Sequence, residues 1–191
     1  MDRRKVLKNI GSGIGAITLT PSVVGIFQSC QTKVSYTPVF ISIHDFEMLS
    51  NIMELIIPQT EIPGAKELKL PEFLDAYVNA VYSSKRKLEF EEGFAAFKIR
   101  AIESSEKEKV SQLSIKNLDT QLTKYLRFKG DLPKEEQLAA KFANELRDLT
   151  VNAFKTNECI GENVLAYIPI PGDYKGCVDL METTGGKAWS L

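Results

Sequence analysis

From Ser42 onward the apolar residues of this chain return every three or four positions, the spacing of one helix face. Phe46, Leu49, Ile52, Met53 and Ile56 form the first such stripe. Ser42 is placed to cap it, Asp45 falls in its first turn near the positive helix end, and Pro58 stops it. The stretch "PQTEIPGAKELKL" is punctuated by Pro and Gly and reads as a loop. Pro71 then opens a helix that sets Phe73, Tyr77 and Val81 on one face. Ser83 or Ser84 caps a third helix, about Lys85 to Glu103, with Phe90, Phe94, Phe97 and Ile102 apolar. A fourth runs from about Ile115 to Phe128 and closes at Gly130. Pro133 begins a long helix to about Lys155, with Leu138, Phe142, Leu146, Leu149 and Ala153 at helical spacing.

The last 35 residues change character. A short helix is expected from Gly161 to Tyr167, followed by a Pro/Gly-rich tail with three aromatics, Tyr167, Tyr174 and Trp189. A long structureless segment in a compact domain is uncommon and often functional. Tyr and Trp are favoured interface anchors, and they also serve to cover a domain's own core. No segment alternates with period two. The pattern therefore predicts an all-α fold: one helical domain of about five or six helices at residues 42–191, with a tether at 31–41 and a leader at 1–30.

Charge changes the picture at the N-terminus. The chain carries 24 basic and 25 acidic residues, a net of −1. Residues 1–8 alone hold +3, leaving −4 for the rest, an unpromising surface for nucleic acid. Behind this basic start, Asn9 to Thr32 is free of charge. That is the layout of an export signal. A spanning helix, which needs ~20 apolar residues, is the alternative, weakened by Gly11, Gly13, Gly15, Gly25 and Pro21. Within "DRRKVLK", Arg3, Arg4, Val6, Leu7 and Lys8 resemble the twin-arginine export pattern, whose route carries folded proteins; a generic positive n-region is the plainer reading.

Of three cysteines, Cys30 ends "IFQSC" and resembles a lipoprotein cleavage box, which would make it a lipidated first residue. Cys159 and Cys177 are then left as an even pair in an oxidising compartment. Either they bridge, closing a loop worth ~3 kcal/mol in the chain-entropy model, or they remain buried free thiols.

The inventory for catalysis is thin. His44 is the one histidine and falls at the start of a helix, where a surface role is the ordinary one. A zinc site has too few His and Cys to assemble, and Glu158, Glu162 and Asp173 do not match a calcium loop. Glu89, Glu91 and Glu92 read as a solvated helix face. No phosphate-binding glycine motif follows a strand. The expectation is a chain with no catalytic residues, no metal and no cofactor of its own.

Two motifs carry a family resemblance. "ECIGENVLAYIPIPGDYKGCVDL" places Gly161, Leu165, Tyr167, Pro169, Pro171, Gly172, Tyr174, Gly176 and Cys177 in the pattern of gluconate 2-dehydrogenase subunit 3. "LIIPQTEIPGAKEL" resembles that family's early element at Pro58, Thr60, Pro63, Gly64 and Ala65. The resemblance implies a small subunit beside a large FAD-containing dehydrogenase of the glucose–methanol–choline type and a c-type cytochrome, working in the periplasm on a sugar or sugar acid. FAD and haem c would belong to those partners. The small subunit would escort the flavoprotein across the membrane and hold it there through its signal or lipid anchor. Tyr167, Pro169, Pro171, Gly172, Tyr174 and Trp189 are then the expected partner interface. A free-standing helical lipoprotein is the alternative.

Overall fold

Ser42 does what its position predicts: its Oγ accepts the Asp45 backbone N–H at 3.1 Å and starts α1, Ile43–Ile56. In the computed structural model, which describes residues 36–127, 130–167, 172 and 176–190, this helix is the first element of the compact unit Thr37–Leu191. The leader residues Arg3, Arg4, Leu7, Lys8 and Cys30 lie outside the described residues. Leu49, Ile52 and Met53 are fully buried, while Phe46 and Ile56 pack at the core's edge.

The loop after α1 is held by one side chain. The Glu54 carboxylate accepts the Gln59 N–H at 3.0 Å and the Lys66 N–H at 2.8 Å. This explains Gly64, where a Cβ would stand 2.6 Å from the Gln59 nitrogen and closer still to Glu54 Oε1. Ala65 donates its N–H to the Ile57 carbonyl at 2.9 Å and is buried.

Helix α2, Leu70–Val81, has Pro71 in its first turn, where the missing N–H costs nothing. Leu70, Leu74 and Val78 face the core. Asp75 is fully buried, and its carboxylate accepts the N–H groups of Val39 (2.7 Å), Phe40 (3.1 Å) and Ile41 (2.7 Å). The residues that lead into the domain are thus clamped to the middle of α2.

The centre of the core lies between α3, Ser84–Ser104, and α5, Lys134–Lys155, the most extensive helix pair. Phe142 of α5 meets Phe90, Phe94 and Phe97 of α3, with ring centroids 5.2, 5.0 and 5.8 Å away. Gly93 makes this approach possible, since a Cβ there would stand 2.9 Å from the Phe142 Cβ. Leu138, expected on the inward stripe of α5, is instead 39% exposed; Ala139, Ala140 and Ala143 take the inward positions and let neighbouring helices come close.

A 3-10 turn at Val110–Gln112 precedes α4, Ile115–Arg127, which buries Leu118, Leu122 and Tyr125. The short helix α6 is Glu158–Asn163 rather than Gly161–Tyr167. Asn157 starts it early by accepting the Cys159 N–H on its side chain at 3.0 Å. A seventh helix, α7, Leu180–Thr184, was not anticipated; Asp179 caps its start and Gly185, at φ +63°, ends it. The described residues contain seven α-helices and no strand beyond one isolated bridge, so the fold is all-α with one short helix more than expected.

Candidate functional site

The tail is a loop closed at its base. Ala166 donates its N–H to the Ala188 carbonyl at 2.8 Å, and Ser190 donates to the Ala166 carbonyl at 2.9 Å. This parallel bridge between Ala166 and Trp189 pins the two ends of the segment that contains the Pro/Gly motif. Lys187 Nζ adds a bond to the Asn163 carbonyl at 2.9 Å. Below the base, Ile160 is fully buried and fixes α6 to the body.

Above the base the loop shows apolar surface. Tyr167 is 54% exposed and Trp189 46%, so neither ring is taken into the domain's core. Val178, Leu180 and Met181 are also exposed, and α7 has no buried residue. Gly172 is exposed and at φ +73°, a conformation that favours glycine. Pro169, Pro171 and Tyr174 lie outside the described residues. A recess of about 290 Å³ at the foot of the loop is lined by Thr156, Asn157, Glu158, Gly161, Glu162, Tyr167 and Ser190. Thr156 also borders an apolar groove of about 220 Å³ between α2 and the end of α5, lined by Phe73, Leu74, Tyr77, Leu149, Asn152 and Ala153.

Cys159 and Cys177 are both exposed and unbridged in this structure. The alternative of buried thiols does not hold either, because Cys159 sits on the solvent side of α6, whose inward positions are Ile160 and Gly161.

The titratable groups with displaced affinities belong to the scaffold. Tyr82 donates to Glu145 Oε1 at 2.9 Å, and Arg86 Nη2 reaches the same oxygen at 2.9 Å. Burial first, and then the Glu145 carboxylate, push the Tyr82 hydroxyl up to about 12. Glu145 also raises Arg86 further above its usual value. Tyr125 is pushed up to about 12 by burial and, secondly, by the Glu136 carboxylate. Glu89, read as part of a solvated run, meets Arg86 at 3.2 Å and Lys141 at 3.8 Å, while Glu91 and Glu92 are exposed. His44 is exposed in the first turn of α1. Among the described residues no three His, Cys, Asp or Glu side chains are grouped to hold a metal ion, and no helix is long and apolar enough to cross a membrane.

Three features escaped the sequence. The bridge that closes the tail joins residues 23 positions apart and has no local signal. The Asp75 clamp is equally non-local. The outward face of α2 is different: Phe73 (52% exposed), Tyr77 (36%) and Val81 (60%) do share one face, as expected, but it is the face turned to solvent. Its spacing was visible; its direction was not.

No curated protein and no solved structure matches the chain. The family model described as gluconate 2-dehydrogenase subunit 3 matches residues 43–172, from the first turn of α1 to Gly172 inside the tail loop. That span is more than half of the chain and includes the early motif and the later one as far as Gly172, so the chain belongs to the gluconate 2-dehydrogenase subunit 3 family.

Proposed function

We propose that this chain is the accessory small subunit of an FAD-dependent dehydrogenase of the glucose–methanol–choline type, and that the tail loop is the surface on which the flavoprotein docks. The observation that supports this reading is the loop itself. Its base is pinned to the body by backbone bonds, while Tyr167, Leu180, Met181 and Trp189 are turned outward. Large rings on a pre-formed loop lose little conformational freedom on binding and make effective anchors. Residues 1–30 act as a twin-arginine-type leader that takes the folded pair to the periplasm, and a lipid on Cys30 holds it at the membrane. The substrate, a sugar or sugar acid, and the FAD belong to the large subunit, and a c-type cytochrome takes the electrons.

The test is purification of the complex from detergent-extracted membranes through a tag on this chain. The expected result is one flavin per complex. Replacing residues 168–187 by a short Gly/Ser link, with the Ala166–Trp189 base kept, is expected to release the flavoprotein while the helical body stays folded. A colourless single-component preparation would overturn the reading in favour of a free-standing lipoprotein.

A further inference from the structure

We draw no further inference here: the strongest candidate, the apolar groove between α2 and the end of α5 beside the exposed rings of Phe73 and Tyr77, carries none because nothing in the structure shows what covers it.

Discussion

The α3–α5 pair and the tail loop use the same residue types to opposite ends. Between α3 and α5, Phe142 is enclosed by Phe90, Phe94 and Phe97 around the gap left by Gly93, and the rings are almost completely removed from water. In the tail, Tyr167 and Trp189 are held in place by backbone bonds at the loop base and stay about half exposed. Aromatic content therefore does not separate core from exposed surface in this chain. What separates them is the source of positional order: ring-on-ring packing in one region, main-chain hydrogen bonds in the other.

The contrast is sharpest under substitution. Phe142→Ala removes the ring on which three others converge and is expected to cost ~3–5 kcal/mol, read as a lower midpoint in urea unfolding. Asp75→Ala leaves three N–H groups without their acceptor; at ~1–3 kcal/mol per stranded group, softened by water reaching Val39, about 3 kcal/mol is expected. The accompanying sign is new proteolytic cleavage near residues 37–42 before the helices are touched. Trp189→Ala, by contrast, is expected to change unfolding stability by no more than ~1 kcal/mol, yet to weaken flavoprotein retention on the tagged chain by tenfold or more. A Trp189→Ala chain as destabilised as Phe142→Ala would place that ring among the core residues.

Alkaline pH gives a milder probe of the scaffold alone. Tyr82 and Tyr125 have folded affinities near 12 against an ordinary value of 10. The unfolded chain releases these protons first, so their contribution is fully present below pH 10 and is lost as pH rises towards 12. Unfolding midpoints are expected to fall across that window, and Tyr125→Phe is expected to flatten part of the fall. A fall of equal depth in the Tyr125→Phe chain would remove Tyr125 as its source.

Much of the scaffold was legible because its signals are local. Ser42, Pro58, Pro71, Ser83 and Pro133 each bound a helix within a residue or two of where the sequence places it. The start of α6 was misplaced because Gly161 reads as punctuation, whereas Asn157, four residues earlier, supplies the cap. Leu138 and the face of α2 show the other limit. Periodicity identifies which residues share a face, but a helix with apolar residues on two sides gives no indication of which side a neighbour will occupy. Of the interface anticipated in the tail, Tyr167 and Trp189 were legible as rings, but the bridge beside them needed the fold.

The Asp75 clamp also has a mechanical meaning. Three consecutive amides, at Val39, Phe40 and Ile41, bond to one carboxylate on the inner side of α2, where Leu74 and Val78 are also buried. A pull along the segment that enters the domain therefore meets three bonds to a single side chain. Tension reaches the middle of α2, between Leu74 and Val78, and is spread into the core without unwinding a helix end. Load entering through residues 39–41 would thus be taken up in the middle of α2 and not at its ends.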